Sequence, residues 1–330
     1  MAVRRAANRD VQSKSLAETP PSKGERRSGF GFVGVKILGR SIGAKTRHDG
    51  NSCFPPVHPY PSGRSAVAYL CAMNRLTALF ARPSAPLLNV YFTAGYPQRD
   101  DTNPIIRALD EAGADLIEVG MPYSDPLADG PTIQASGTAA IRNGMTLALL
   151  FEQLETVRPR TEVPLILMGY LNQVMQYGEQ RFVDDCVRAG VDGLILPDLP
   201  LAEYESDFRD RLAAADIKIS FLITPQTPEA RIRKVDELST GFIYVVSSAA
   251  ITGGKGGISP AQIAYFERIE AMQLATPRLI GFGISDKTSF DTASRYARGA
   301  IIGSAFIRAL GKGNNVAETA RGFVRGVRGE

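Results

Sequence analysis

Residues 114–134, Ala-Asp-Leu-Ile-Glu-Val-Gly-Met-Pro-Tyr-Ser-Asp-Pro-Leu-Ala-Asp-Gly-Pro-Thr-Ile-Gln, decide the fold. The first half has the apolar composition of a buried strand, with Glu118 in its middle. An unpaired carboxylate is costly to bury, so Glu118 needs a reason to be there. The second half is a proline-bounded loop that carries Asp125 and Asp129. Acids at the carboxyl end of a strand are where a parallel α/β protein places its chemistry.

From Met73 onward, strand-like runs alternate with amphipathic stretches. Short apolar runs cover residues 87–95, 114–122, 163–170, 191–200, 217–225, 241–248, 278–285 and 299–307. Helical periodicity covers residues 101–112, 178–189, 202–214, 228–239, 260–272, 286–298 and 316–327. Eight strand–helix units in 258 residues predict an α/β fold of the (β/α)8 TIM-barrel type, with residues 75–81 as a plug at its base. An open doubly wound sheet is the alternative, although no Gly-x-Gly-x-x-Gly turn follows the first run.

The first 72 residues differ from the rest in charge and pattern. They hold 12 Lys and Arg against 4 Asp and Glu, whereas residues 73–330 carry a net charge of −4. Residues 1–72 also lack sustained periodicity, so we expect a disordered extension there, a catalytic domain over 73–330, and Met73 as the natural start. A plastid-targeting peptide is the alternative for this Arg-rich segment. The acidic remainder argues against a nucleic-acid surface.

Composition excludes several classes of function. The cysteines at positions 53, 71 and 186 have no paired or metal-like spacing, which predicts reduced thiols in a cytoplasmic protein. No apolar run approaches the ~20 residues that cross a bilayer, so no membrane segment is expected. Both histidines, His48 and His58, precede the predicted barrel. Chemistry there must use carboxylates, tyrosines or lysines, and a histidine-bound metal is not expected.

Strand alternation predicts that Glu118 points into the barrel. Leu116, Glu118 and Gly120 share one face of their run. The opposite face is entirely apolar and therefore suits the outer surface, which meets the helices. Tyr170 has inward parity near the end of the next run, so the two side chains can share one cavity. The alternative for Glu118 is a structural role in an internal hydrogen-bond network.

Three aspartates in the loops have both functional and structural interpretations. Asp125 and Asp129 lie where aspartate commonly forms turns or caps helices, and for Asp125 the structural role is at least as well supported. Asp129 is placed to reach across the mouth toward a ligand. Asp198, in Leu-Pro-Asp-Leu-Pro, either functions in the site or orders its own loop.

Glycine-rich turns follow three successive runs in the carboxyl half, at residues 252–257, 281–285 and 303–304. Exposed backbone N–H groups at these turns, with a helix starting at Ser304, predict a phosphate site. Lys255 is the only lysine at the carboxyl end of a run, so a Schiff-base aldolase is disfavoured. These residues together predict an acid/base lyase or isomerase that acts on a small phosphate ester.

At residues 118–134 the sequence resembles the signature of the tryptophan synthase alpha chain family. The resemblance covers essentially all of residues 73–330. It continues through Thr-Ala-Gly-Tyr-Pro at 93–97, Met-Gly-Tyr-Leu-Asn at 168–172, Asp-Leu-Pro at 198–200, Thr-Gly at 252–253, Gly-Phe-Gly-Ile-Ser at 281–285 and Gly-Ser at 303–304.

The resemblance implies retro-aldol cleavage of indole-3-glycerol phosphate to indole and glyceraldehyde 3-phosphate in tryptophan biosynthesis, without metal or organic cofactor. By motif, Glu118 matches the general acid/base, which protonates the indole ring carbon and assists removal of the glycerol hydroxyl proton. Asp129 matches the aspartate that binds the indole N–H. Tyr170 and Tyr244 match residues of the indole pocket and mouth. The other substrate-binding positions, toward the phosphate, are Thr252, Gly253, Gly281, Gly283, Gly303 and Ser304.

The resemblance also implies a partner, a beta chain that carries pyridoxal phosphate in an α2β2 complex and receives indole through a tunnel. Two loops, the second and the sixth, would close over the site. One departure is visible, because this chain has Ser-Ala-Ala-Ile-Thr-Gly at 248–253 where many relatives have an arginine before Ser-Gly-Val-Thr-Gly. Two other interpretations stay open: a stand-alone indole-3-glycerol-phosphate lyase, and a non-catalytic phosphate-binding regulator of a beta chain.

Overall fold

The computed structural model describes residues 73–82, 85–247, 258–281 and 283–330. The predicted extension, residues 1–72, lies outside these ranges. The strands within them are Leu87–Thr93 (β1), Leu116–Gly120 (β2), Leu165–Met168 (β3), Gly193–Ile195 (β4), Lys218–Ile219 (β5), Leu222–Ile223 (β6), Ile243–Val246 (β7), Arg278–Gly281 (β8) and Gly299–Ile302 (β9). The α-helices are Arg75–Ala81 (α1), Thr102–Glu111 (α2), Pro131–Arg142 (α3), Leu147–Val157 (α4), Leu171–Tyr177 (α5), Glu179–Arg188 (α6), Leu201–Glu203 (α7), Arg209–Ala214 (α8), Glu229–Leu238 (α9), Pro260–Ala271 (α10), Lys287–Ala293 (α11), Ser304–Leu310 (α12) and Val316–Arg328 (α13).

These strands form one parallel sheet that closes on itself. Their order is β5-β4-β3-β2-β1-β9-β8-β7-β6, so the two edges are β5 and β6. Only Ser220 and Phe221 separate these edges along the chain. Ser220 donates its N–H to Leu194 on the β4 side, and Phe221 accepts from the N–H of Tyr244 on the β7 side. The predicted run 217–225 is therefore one barrel strand that changes partner midway, and the predicted TIM barrel is confirmed.

Apolar side chains inside the barrel and outside it form two separate cores. The outer cluster packs strand residues such as Ile117 and Val119 against the helices. The inner cluster contains Leu116, Ile166 and Leu279 from the strands, together with Leu76 and Leu79 from α1. The plug predicted for residues 75–81 is thus confirmed.

Polar contacts at the base attach α1 to the barrel. Asn74 caps the helix by accepting from the N–H groups of Leu76 and Thr77. The side-chain amide of Asn74 also donates to the carbonyl oxygens of Asp192 at 3.1 Å and Asp216 at 2.7 Å, just before β4 and β5 begin. Both carbonyls lie at the amino ends of strands, so α1 closes the face opposite to the one that carries the strands' carboxyl ends.

Several helices follow the predicted pattern and others do not. The predicted helix 202–214 is present, but its middle, Tyr204–Phe208, is a π-helical turn between α7 and α8. Helices α3 and α4 lie between β2 and β3, where no helical stretch was predicted. The short-side-chain composition of α3, with Ala and Gly on its buried face, gives a weak periodic signal. No helix in the described part of the chain is long and apolar enough to cross a membrane.

Candidate active site

Glu118 lies on the inner face of β2, as strand alternation predicts. In the sheet its neighbours are Tyr91 on β1 and Ile166 on β3. Ile166 belongs to the inner cluster, which shows that this row of side chains points inward. The Glu118 side chain is only 2% exposed, and Asn89 donates from Nδ2 to its Oε2 at 3.0 Å. The interior position is confirmed, and a neutral amide is its hydrogen-bond partner.

The environment of Glu118 favours its protonated form. Burial raises the pKa of Glu118 to about 8, and the nearby charge of Asp129 acts in the same direction. The hydrogen bond from Asn89 opposes this by lowering the pKa. At neutral pH the carboxyl therefore mostly carries a proton, which is what a general acid requires.

Asp129 is held at the mouth by the turn that its prolines shape. Its N–H donates to the carbonyl of Pro126 at 3.1 Å, and α3 begins two residues later at Pro131. The carboxylate is buried and accepts a hydrogen bond from the Tyr170 hydroxyl at 2.9 Å. Burial raises the pKa of Asp129 to about 6, whereas the bond from Tyr170 lowers it. Asp129 is therefore mostly ionised at pH 7.

Tyr170 joins the loop after β2 to the end of β3. Its hydroxyl accepts from the N–H of Ala128 at 3.0 Å while it donates to Asp129. Its ring stacks on Tyr123, with the ring centres 5.2 Å apart. Burial and the charge of Asp129 raise the pKa of Tyr170, so the phenol stays neutral. The structure thus places Tyr170 in direct contact with Asp129.

Tyr244 lies inside the barrel on β7 and packs against a glycine of the next strand. A Cβ atom at Gly281 would overlap the Tyr244 hydroxyl. Burial raises the pKa of Tyr244, and the charges of Glu118 and Asp129 add to the rise. Tyr244 therefore shares the cavity of the two acids. Gly281 has a packing reason to be glycine, and its predicted contact with substrate stays a prediction.

Tyr91 and Asn89 belong to the same cavity and were not predicted from the sequence. The Tyr91 hydroxyl occupies the space that a Cβ at Gly120 would need, which mirrors the pair formed by Tyr244 and Gly281. Burial raises the pKa of Tyr91, as do the charges of Asp129 and Glu118. The signal in the sequence was the alternation Asn89, Tyr91, Thr93 within β1, which places polar groups on the inward face.

The predicted phosphate-site residues lie at the ends of β8 and β9. Gly283 follows β8 with a φ of +77°, a conformation that favours glycine. Gly303 lies between β9 and α12, Ser304 begins α12, and a Cβ at Gly303 would be 3.2 Å from Tyr91 Cδ1. Because β8 and β9 are neighbours in the sheet, these turns lie at one edge of the mouth. Thr252 and Gly253 lie outside the described residues.

Asp125 and Asp198 have structural partners. Asp125 is exposed and accepts a hydrogen bond from the hydroxyl of Ser124. Asp198 accepts from the N–H of Leu171 at 2.9 Å and so satisfies a backbone donor at the start of α5. Of the two interpretations for Asp198, loop ordering has the supporting contact. Among the described residues, no three His, Cys, Asp or Glu side chains are grouped in a way that would hold a metal ion.

Comparisons with known proteins agree on one family. The family model for the tryptophan synthase alpha chain matches residues 79–325. The tryptophan synthase alpha chain of Parabacteroides distasonis is 52% identical over 238 residues, which are 72% of this chain and 93% of that relative. The one from Christiangramia forsetii is 49% identical over 256 residues, 78% of this chain and 99% of the relative.

Solved structures give the same answer. A tryptophan synthase complex from Pyrococcus furiosus matches with a TM-score of 0.67 at 32% identity, covering 74% of this chain and 98% of that chain. The aminoacrylate-bound form of tryptophan synthase from M. tuberculosis matches with a TM-score of 0.67 at 29% identity, covering 77% of this chain and 98% of that chain. On sequence and structure together, the chain belongs to the tryptophan synthase alpha chain family.

Proposed function

We propose that this chain cleaves indole-3-glycerol phosphate to indole and glyceraldehyde 3-phosphate, with Glu118 and Asp129 as its catalytic groups. The family's known reaction is this retro-aldol cleavage. The observation that carries the assignment is a pair of buried carboxyls in one barrel mouth whose pKa values differ, about 8 for Glu118 and about 6 for Asp129. Near pH 7 one is mainly an acid and the other mainly an anion.

Cleavage of the carbon–carbon bond requires the indole ring to become an electron sink. In the proposed reaction, Glu118 gives its proton to the ring carbon that bears the glycerol chain, which leaves a positive charge on the indole nitrogen. The bond to the glycerol chain then breaks, and its electron pair restores the aromatic ring. The hydroxyl on the departing carbon loses its proton to the Glu118 carboxylate and becomes the aldehyde of glyceraldehyde 3-phosphate, so Glu118 ends the cycle protonated.

Asp129 has the complementary task. As an anion near the indole N–H, it stabilises the positive charge that appears on the ring after protonation. Tyr170 holds that anion by the hydrogen bond at 2.9 Å. The neutral phenols of Tyr91 and Tyr244 line the cavity near both acids and suit a flat aromatic substrate. Gly283, Gly303 and Ser304 are proposed to bind the phosphate, together with Thr252 and Gly253.

We further propose a beta chain as partner, docked at the mouth of the barrel. Leu127, in the loop that carries Asp129, is 88% exposed, and Met175 on α5 is 56% exposed. A partner docked at the mouth would remove these two apolar side chains from water. Pyridoxal phosphate would belong to the partner, and the cleavage itself would need no cofactor. The buried free thiol of Cys186 agrees with a cytoplasmic location.

The test is indole release from indole-3-glycerol phosphate, measured with and without an added beta chain. We expect weak release alone and faster release with the partner. Glu118→Gln and Asp129→Asn should each lower the rate at least about a hundredfold, since each removes a proton carrier or a counter-charge. Asp125→Asn is the matched control, because Asp125 is an exposed aspartate in the same loop.

The outcomes separate the alternatives. Full activity without a beta chain would support a stand-alone lyase. No release under either condition would support a regulator that binds phosphate without catalysis. Such a regulator would have no need for two buried carboxyls of which one is mainly protonated and the other mainly ionised near pH 7. Wild-type rates in either acid variant would remove that acid from the mechanism.

A further inference from the structure

Asn89 is a buried polar residue to which the proposed mechanism gives no part. It lies on β1 with no exposed surface, and its Nδ2 donates to Glu118 Oε2 at 3.0 Å. Within the part of the chain that the structure describes, this is the hydrogen bond that the Glu118 carboxyl accepts. The Asn89 amide contacts Oε2 and not the other carboxyl oxygen, Oε1.

The second polar atom of Asn89 is unsatisfied. Its Oδ1 is buried and lacks a hydrogen-bond partner among the described residues. The sheet neighbours of Asn89, Leu116 on β2 and Ile301 on β9, are apolar and offer no donor from their side chains. Buried amide oxygens are nearly always paired, so an unpaired one needs an explanation. Here the unpaired oxygen accompanies the one contact that the amide makes in the described part of the chain, from Nδ2 to Glu118.

Acid/base chemistry explains why such an amide suits Glu118. An ionised carboxylate needs a donor, whereas a protonated carboxyl needs an acceptor for its O–H. An arginine or a lysine beside the carboxyl would instead favour its ionised form strongly. The neutral asparagine amide serves either form, because Nδ2 can donate to Oε2 both in the carboxylate and when Oε2 is the carbonyl oxygen of a carboxyl protonated on Oε1, and it binds the charged form more strongly.

We propose that Asn89 is a positioning residue whose Nδ2 holds Glu118 Oε2 in both protonation states, which leaves Oε1 to exchange protons with the substrate. This inference rests on the proposed catalytic role of Glu118.

The other groups around Glu118 do not replace Asn89. Asp129 and the phenols of Tyr91 and Tyr244 are the titratable groups that face it from the adjacent loop, β1 and β7. The charge of Asp129 disfavours the ionised form of Glu118, and both phenols are themselves held neutral. The Asn89 amide is the contact that stabilises ionised Glu118.

The test is a titration of Glu118 in the full chain labelled with carboxyl-13C glutamate, followed by NMR, with Glu118→Gln identifying the signal. In Asn89→Leu, which keeps the volume and removes both polar atoms, the midpoint of Glu118 should rise by about one pH unit or more, because a hydrogen bond to the charged form is lost. The kcat for indole release should fall about tenfold or more at neutral pH with little change in KM. Ile301→Val, a small change at an equally buried neighbouring position, should leave the midpoint of Glu118 unchanged.

A second variant keeps the proposal testable if Asn89→Leu does not fold. Asn89→Asp has nearly the same shape and brings a second carboxyl against Glu118, so the pair should share one proton and titrate higher than the wild type. An unmoved midpoint in the folded variant overturns the proposal, even if activity is lost. A raised midpoint with an unchanged kcat overturns it as well. Turnover by Glu118→Gln would instead refute the proposed role of Glu118, which is a separate readout.

Discussion

Replacing Tyr170 with phenylalanine removes one oxygen atom from the mouth and tests what keeps Asp129 ionised. In the wild type that oxygen donates to Asp129 Oδ2 at 2.9 Å and accepts the N–H of Ala128 at 3.0 Å. The ring is retained in the variant, so its stacking on Tyr123 is preserved. The change is therefore confined to the two hydrogen bonds of the phenol.

The magnitude follows from the forces on Asp129. Burial raises its pKa and the Tyr170 bond lowers it, with a net value of about 6. A hydrogen bond to a charged group contributes about 1.5–3 kcal/mol, and one pKa unit corresponds to about 1.4 kcal/mol. Loss of the bond should therefore raise the pKa of Asp129 by about one unit or more, which lowers its ionised fraction at pH 7 from about nine-tenths to about half or less.

The assay is kcat/KM for indole release between pH 5 and pH 9. The active form has Asp129 ionised and Glu118 protonated, so the wild-type profile should be bell-shaped with limbs near the two pKa values, about 6 and about 8. In Tyr170→Phe the acid limb should move up by about one unit, and the alkaline limb, which reports Glu118, should stay.

The control is Tyr123→Phe. The Tyr123 hydroxyl accepts a hydrogen bond from Asn172, whereas the Tyr170 hydroxyl contacts Ala128 and Asp129. The substrate phosphate also titrates near pH 6, but it does so equally for every variant. An acid limb that stays in place in Tyr170→Phe, or a loss of rate that is uniform across pH, would refute the reasoning.

Two further predictions concern the pH dependence of stability and the need for residues 1–72. The pKa of folded Glu118, about 8, lies above its ordinary value of 4.5, so its contribution to stability is complete below about pH 4.5 and is lost as pH rises through 8. Glu118→Gln should therefore lessen the decline of unfolding free energy between pH 5 and 8 in urea titrations; an equal decline in both proteins would contradict this. A chain that starts at Met73 should fold and release indole at the full-length rate, and precipitation or loss of activity would show that residues 1–72 are required.

Many of the side chains that point into the barrel can be predicted, because successive side chains along a strand alternate between its two faces. Glu118 could be placed inside because the opposite face of its strand is wholly apolar. The division of the fifth strand between β5 and β6 has no local signal, because it results from closing the sheet. The inner polar side chains of β1 were visible as an alternation, but nothing local shows that Asn89 bonds to Glu118, 29 residues later.

The contact between Asp129 and Tyr170 shows why the site is harder to predict than the fold. It joins residues 41 apart in the chain and depends on how a proline-bounded loop turns back over the end of β3. The sequence shows that both residues lie near the mouth, and a family resemblance assigns them to the site. Which oxygen meets which carboxylate, and hence which pKa is lowered, depends on the packed loop.

The attachment of α1 to the base has a practical consequence for handling this protein. Met73 is 63% exposed and precedes Asn74, which is bonded to the amino ends of β4 and β5. A chain that begins at Met73 therefore starts on the face remote from the mouth. Coupling such a chain to a bead or sensor surface through its first residue would leave the mouth facing the solution, so that substrate entry and partner binding can be measured on immobilised protein.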